Sequence, residues 1–115
     1  MSPLSQEDLE KLLKEPNAPF LVVIYFTASW CGPCKRVNLQ RVTHFRKDIA
    51  WYVCDVDTNH YSLGYCGGKQ IPSWIALSNG KPTGPLLVSG DDAVICKWLS
   101  TLPVEDTPIK KGLVT

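Results

Sequence analysis

The segment at 20–26, Phe-Leu-Val-Val-Ile-Tyr-Phe, constrains the fold of this chain more than any other feature. All seven side chains are branched or aromatic. A strand with one face in water alternates apolar and polar residues, whereas a strand covered by helices on both faces is apolar throughout. The segment therefore predicts a central strand of an α/β fold.

Both helices and further strands are predicted around this central strand. Ser5 is followed three residues later by Asp8, which is typical of a capped helix start, and Asn79-Gly80 is typical of a hairpin turn. Cap residues and helical spacing predict helices over 5–14, 34–47, 57–63 and 91–102. Branched and aromatic segments predict further strands over 51–56, 73–78 and 85–89. Strands that alternate with helices favour a parallel pair at the centre of the sheet.

Length and charge limit the kinds of protein that this chain can be. With 115 residues, we expect one domain over 1–103 and a mobile tail over 104–115, where no periodic pattern is found. The formal net charge of +1 gives no reason to expect a nucleic-acid partner. The apolar run is far shorter than the roughly 20 residues of a membrane span, and residues 1–10 lack a leader pattern. We therefore expect no membrane association and a cytoplasmic location.

The cysteines indicate the chemistry. Five cysteines at irregular spacing favour a reducing compartment over a fully paired extracellular framework. There, the close pair Cys31 and Cys34 indicates redox catalysis or a metal site. No second Cys-x-x-Cys pair follows, and His44 and His60 stand alone. The pattern favours redox chemistry without a metal, and a metal or iron–sulfur site is the weaker alternative.

The spacing of Cys31 and Cys34 suits thiol–disulfide exchange. Exchange needs one accessible cysteine that ionises readily and a second cysteine within its reach. At the start of a helix, unpaired backbone amides stabilise the thiolate of the first cysteine, and the second lies one turn further on. Gly32 and Pro33 keep the bend compact, because proline suits an early helical position.

The chain resembles the thioredoxin family most closely in the segment 28–35, Ala-Ser-Trp-Cys-Gly-Pro-Cys-Lys. Matches at Asp55 to Asp57, at Ile71-Pro72 and at Asn79-Gly80 extend the resemblance over about residues 5–102. The resemblance implies a thioredoxin fold, in which helices flank a central mixed sheet of four or five strands. It also implies a cis-proline loop beside the start of the Cys-x-x-Cys helix.

The same resemblance implies an activity, reduction of protein disulfides by a pair that cycles between dithiol and disulfide. Cys31 would attack and Cys34 would resolve the mixed disulfide. Partners would be disulfide-containing proteins and an NADPH-dependent thioredoxin reductase, and the enzyme would be a monomer without a bound cofactor. The chain would then serve electron transport and cell redox homeostasis.

Substrate-binding residues also follow from the resemblance. Pro72 would be cis beside the cysteines, and Ile71 would offer its backbone to an extended substrate. Trp30 would form part of the apolar contact surface, near Gly90. The complete predicted site consists of Cys31 and Cys34 as catalytic residues and Trp30, Gly32, Pro33, Ile71, Pro72 and Gly90 as substrate-binding residues.

Two positions depart from the family pattern. Tyr25 stands six residues before Cys31, where most members carry a buried aspartate that helps to deprotonate the second cysteine. Trp74 stands where an aliphatic residue or phenylalanine is commoner. Because of these departures, a redox-sensitive binding or scaffold subunit with little turnover remains the alternative function.

The remaining predictions concern the chain start and the other cysteines. A first strand spans at most residues 1–4, and Pro3 restricts it to an edge of the sheet. Cys54 and Cys96 are expected to be core residues. Cys66 is expected to be exposed near the active face, as an inert thiol or, as the weaker alternative, one that serves regulation or dimerisation.

Overall fold

The computed structural model describes residues 1–15 and 17–105, which form one mixed sheet with helices on both faces. The strands are β1 (Ser2–Pro3), β2 (Leu21–Thr27), β3 (Ala50–Asp55), β4 (Ser73–Ser78), β5 (Lys81–Pro82) and β6 (Leu87–Val88). The helices are α1 (Gln6–Lys14), α2 (Leu39–Phe45), α3 (His60–Tyr65) and α4 (Asp92–Ser100), and a 3₁₀ turn spans Pro33–Arg36. No helix within this part of the chain is long and apolar enough to cross a membrane. From residue 106 onward, the predicted tail lies outside the described residues.

The central strand is β2, as the apolar segment predicts. Its side chains alternate between two cores: Val23 and Tyr25 pack against residues of α2 and α4, whereas Ile24 and Phe26 pack against residues of α1. Full burial of an aliphatic or aromatic side chain contributes about 1.5–3 kcal/mol, so an unbroken apolar strand is favoured wherever helices cover both faces. The two cores together fix β2 in place.

The strand directions bring several loops to one end of the sheet. Within the described residues the sheet has six strands, where four or five are predicted. The order across the sheet is β1-β3-β2-β4-β5, and β6 also pairs with β4. β2 runs parallel to β3 and antiparallel to β4, while β6 runs antiparallel to β4. The carboxyl ends of β2, β3 and β6 therefore lie at the same end of the sheet as the amino end of β4.

The hairpin differs from its prediction in where the return strand begins. Asn79 and Gly80 have φ values of 52° and 78°, which allows a two-residue turn, so pairing resumes at Lys81. The return strand predicted over 85–89 is found only as the shorter β6, and a further short strand, β5, precedes it directly after the turn. Pro85 lies between the two strands and has no backbone N–H to donate.

The chain start forms an edge strand, as predicted. β1 lies beside β3, where Pro3 can be accommodated, and the Leu4 N–H donates to the Val53 carbonyl at 2.8 Å. The buried Asn59 side chain donates to the Leu4 carbonyl at 3.2 Å and holds this segment. The capping box at Ser5 is confirmed, since its hydroxyl accepts from the Asp8 N–H while the Asp8 carboxylate accepts from the Ser5 N–H.

The predicted helix over 34–47 is wrong, because it is broken between the cysteine pair and α2. Val37 is extended, with ψ 125°, and its side chain is buried in the core. Asn38 then starts a new helix, since its side chain accepts a hydrogen bond from the Arg41 N–H at 3.1 Å. The Asn38 N–H itself donates to the Asp92 carboxylate at 2.9 Å, which anchors this break to α4.

We expect Gly80→Ala to destabilise the fold, because the hairpin tip packs against the end of α1. An added Cβ would lie 2.9 Å from the Leu12 carbonyl oxygen, at a φ of +78° that alanine rarely adopts. The expected loss of unfolding free energy is about 2 kcal/mol, measured by urea denaturation. Gly84→Ala is the matched control, since its Cβ would meet nothing within 4 Å. Equal destabilisation in both variants would contradict this account.

Candidate functional site

Cys31 and Cys34 form a disulfide at the end of the sheet where β2 stops. Their Sγ atoms are 2.13 Å apart and their Cα atoms 5.3 Å apart. The chain leaves β2 through Ala28, whose carbonyl accepts from the Cys31 N–H at 3.2 Å. Cys31 is 3% exposed and Cys34 is 7% exposed, and both pack with Val56 and Ile71. The structure therefore represents the oxidised form of the pair, and in this form Cys31 is not the accessible cysteine that the sequence predicts, since it is as buried as Cys34.

The backbone around the pair is a single 3₁₀ turn rather than the start of a long helix. Pro33 takes the first position of this turn, and the Lys35 N–H donates to the Gly32 carbonyl at 3.1 Å. The Cys34 N–H donates to Cys31 Sγ at 3.2 Å. In the oxidised form, this amide is therefore the donor that contacts the Cys31 sulfur.

Two further loops meet the disulfide turn. The Ile71–Pro72 peptide bond is cis, as the family resemblance implies, and Ile71 is half-buried against the cysteines. A Cβ added to Gly90 would lie 2.9 Å from the Pro33 carbonyl oxygen and 3.4 Å from Pro72 Cγ. Glycine at this position thus allows the loop after β6 to approach both neighbours. The structure brings these predicted residues together around the pair.

Trp30 forms an exposed rim beside the disulfide. Its side chain is 65% exposed, and its indole N–H lies 3.1 Å and 3.0 Å from the two carboxylate oxygens of Asp57. Asp57 was not among the predicted site residues. Its position after β3, which is parallel to β2, is the signal that could have placed it beside Trp30. These two contacts orient the exposed indole.

Tyr25 lies beneath the turn. Its Oη donates to the Cys34 carbonyl at 3.3 Å, and its ring stacks on Trp74 with 4.1 Å between centroids. Burial raises the pKa of the phenol above its ordinary value, so the group stays neutral at neutral pH. Trp74 is fully buried, and its side chain therefore belongs to the core and not to the surface around the disulfide.

The other cysteines are separate thiols. Cys54 and Cys96 are buried, as predicted, and Cys66 is half-buried. Burial raises the pKa of Cys54 and of Cys66 to about 11. Among residues 1–15 and 17–105, no group of three or more His, Cys, Asp or Glu side chains is placed to hold a metal ion.

Known proteins are similar to this chain in sequence and in fold. The family model described as Thioredoxin matches residues 1–100. A thioredoxin from Geodia cydonium is 31% identical over 91 residues, which is 77% of this chain and 85% of that protein. An H-type thioredoxin from Fagopyrum esculentum is 31% identical over 102 residues, which is 86% of this chain and 87% of that protein. The structure of Plasmodium falciparum thioredoxin superposes with a TM-score of 0.77 at 20% identity, covering 90% of this chain and 100% of that one. The last likeness shows the predicted fold.

We expect the free thiols of the oxidised protein to react slowly with iodoacetamide at pH 7. Only the thiolate reacts with iodoacetamide. For a thiol with a pKa of about 11, the thiolate fraction grows about tenfold per pH unit in this range. The labelling rate of Cys66 should therefore rise about 100-fold between pH 7 and 9. Cys66 should react before Cys54, which is fully buried. Peptide mass spectrometry reads both rates, and earlier labelling of Cys54 would contradict the burial described.

Proposed function

This chain belongs to the thioredoxin family, and we propose on that premise that it reduces disulfides in other proteins, with Cys31 attacking and Cys34 resolving. The family and the Cys-x-x-Cys disulfide make it a thiol–disulfide oxidoreductase. The observation that supports the proposed roles of the two cysteines best is the asymmetry of the pair. Cys31 Sγ accepts a hydrogen bond from the Cys34 N–H. The Cys34 carbonyl, in contrast, accepts a hydrogen bond from Tyr25 Oη.

The proposed cycle transfers two electrons. The Cys31 thiolate attacks one sulfur of a substrate disulfide, so a mixed disulfide forms and one substrate thiolate leaves and takes a proton from water. Cys34 then loses its proton to water and attacks Cys31 Sγ. The Cys31–Cys34 bond forms, the mixed disulfide breaks, and the second substrate thiolate leaves with the electron pair and takes a proton from water. The substrate is reduced to two thiols, and the enzyme ends in the oxidised state described above.

The surroundings of the pair support a docking site for an extended substrate segment. Trp30 offers an exposed apolar surface, and Asp57 holds its indole in one orientation. Ile71 lies directly against the cysteines, where its backbone can pair with an extended chain. Gly90 leaves room beside Pro33 and Pro72, because any side chain there would meet backbone. We assign these residues, with Gly32, to substrate binding.

The partners and location are part of the proposal. An NADPH-dependent thioredoxin reductase would return the Cys31–Cys34 disulfide to the dithiol, and the enzyme would act as a cytoplasmic monomer without a bound cofactor. The three thiols that stay unpaired in the structure suit a reducing compartment. Microscopy of a tagged full-length chain tests the location, and a purely mitochondrial signal would overturn it.

We expect the wild-type protein to reduce insulin disulfides with dithiothreitol, or with a thioredoxin reductase and NADPH, as electron donor. Cys31→Ser should lose turnover entirely, because it removes the attacking sulfur. Cys34→Ser, mixed with insulin after removal of dithiothreitol, should accumulate a mixed disulfide, because it lacks the resolving cysteine. The readout is insulin precipitation, with mass spectrometry for the adduct.

Cys66→Ser is the matched control, since it removes a half-buried thiol that has no part in the proposed cycle. It should keep wild-type turnover. A folded, reduced wild-type protein without turnover would overturn the proposal. Binding of partners that persists in Cys31→Ser would then support the redox-sensitive scaffold instead.

A further inference from the structure

Tyr25 joins the disulfide turn to the sheet. The Cys34 carbonyl accepts two hydrogen bonds, from the Val37 N–H at 3.3 Å and from Tyr25 Oη at 3.3 Å. Val37 follows directly after the same 3₁₀ turn, so its bond only closes that turn on itself. Tyr25 belongs to the central strand β2. Within residues 1–15 and 17–105, no other hydrogen bond joins Cys34 to a strand.

The phenol of Tyr25 has little freedom to move. Tyr25 is paired with Trp74 across β2 and β4, and the two rings stack at 4.1 Å with 16° between their planes. The Trp74 indole N–H donates to the Ser89 carbonyl at 2.9 Å, and the Ser89 N–H donates to the Pro72 carbonyl at 3.2 Å. A continuous series of contacts thus runs from Cys34 to the cis-proline loop.

We propose that Tyr25 is a positioning residue for Cys34: its hydroxyl holds the Cys34 carbonyl so that the Cys34 sulfur stays within reach of Cys31 when the mixed disulfide is resolved. This inference rests on the proposed function and deepens it. Tyr25 touches neither reacting sulfur, so it acts through the backbone of the residue that does. The stack on Trp74 keeps the hydroxyl beneath the turn while the surface loops admit substrate.

The effect falls on one half of the cycle. In the resolving step, Cys34 Sγ bonds to Cys31 Sγ, the bond from Cys31 to the substrate sulfur breaks, and the substrate thiolate leaves with the electron pair. Its rate depends on how often Cys34 is aimed at Cys31. The first step, the attack of Cys31 on the substrate, does not use the Cys34 sulfur, although the Cys34 N–H donates to Cys31 Sγ. Loss of the Tyr25 hydroxyl should therefore slow resolution much more than the attack.

A tyrosine suits this role chemically. Burial raises the pKa of its phenol above the ordinary value, so the hydroxyl remains a hydrogen-bond donor throughout the neutral range. A neutral donor binds a backbone carbonyl without placing a charge in the core, which would be costly to bury. A carboxylate at the same position could accept hydrogen bonds but could not donate one to the Cys34 carbonyl.

The test compares Tyr25→Phe, which removes only the hydroxyl and keeps the stacked ring, with the matched variant Tyr52→Phe on β3. Resolution is followed by quenched-flow mass spectrometry of the mixed disulfide with a disulfide-containing peptide. The attack step is measured separately in the Cys34→Ser background, with and without Tyr25→Phe. The equilibrium between the dithiol and glutathione disulfide gives the stability of the Cys31–Cys34 bond without any protein substrate. Thermal melting checks that each variant is folded.

For Tyr25→Phe we expect a mixed disulfide that lives about three to ten times longer, in keeping with the loss of one buried hydrogen bond. The equilibrium constant for forming the Cys31–Cys34 disulfide with glutathione disulfide should fall by a similar factor. The reduction potential of the Cys31/Cys34 pair should therefore rise by about 15–30 mV. The attack rate should change much less than the resolution rate, and every rate in Tyr52→Phe should stay at the wild-type value. Unchanged resolution and potential in a folded Tyr25→Phe protein, or an equal slowing of the attack step, would overturn the inference. Wild-type protein that reduces no substrate would instead overturn the proposed function, and the glutathione equilibrium would still decide the role of Tyr25.

Discussion

The burial of β2 on both faces is the constraint on which the site depends. Helices cover both of its faces, and β3 and β4 pair along its two edges, so the end of β2 is fixed in position and direction. The disulfide turn begins immediately after this end. β3 and β6 finish at the same end of the sheet, where β4 begins, and they deliver Asp57, Gly90 and Pro72 to the turn. The site is therefore assembled from loops that the strand directions bring together.

Much of this arrangement could be predicted from the sequence, because it follows from strong local signals. The apolar run of β2 and the capping box at Ser5 are each decided by a few adjacent residues, and both are found in the structure. The edge position of β1 follows from Pro3, which has no N–H to donate within a sheet. The Cys-x-x-Cys pair and its neighbours were sufficient to identify the family, since this segment carries the chemistry.

The differences arise where tertiary contacts outweigh local preference. Residues 34–47 contain good helix formers, yet burial of Val37 and the bond from Asn38 to Asp92 break the helix, and Asp92 is far away in sequence. The contact between Trp30 and Asp57 likewise joins residues that only the parallel pairing of β2 and β3 brings together. The stack of Tyr25 on Trp74 could be suspected from two unusual residues but depends on the exact register of β2 and β4. The sequence pattern alone does not give the register of β2 and β4.

The most direct test of the account is the structure of the Cys34→Ser protein joined by a disulfide to a cysteine-containing peptide. The account predicts that the peptide is bonded to Cys31 and lies extended beside Ile71. Its side chains should contact Trp30, and Gly90 should leave room for it to pass. A peptide bonded to Cys66, or one that leaves Cys31 without touching the loops at 71–72 and 89–91, would contradict the claim that the converging loops form the substrate site.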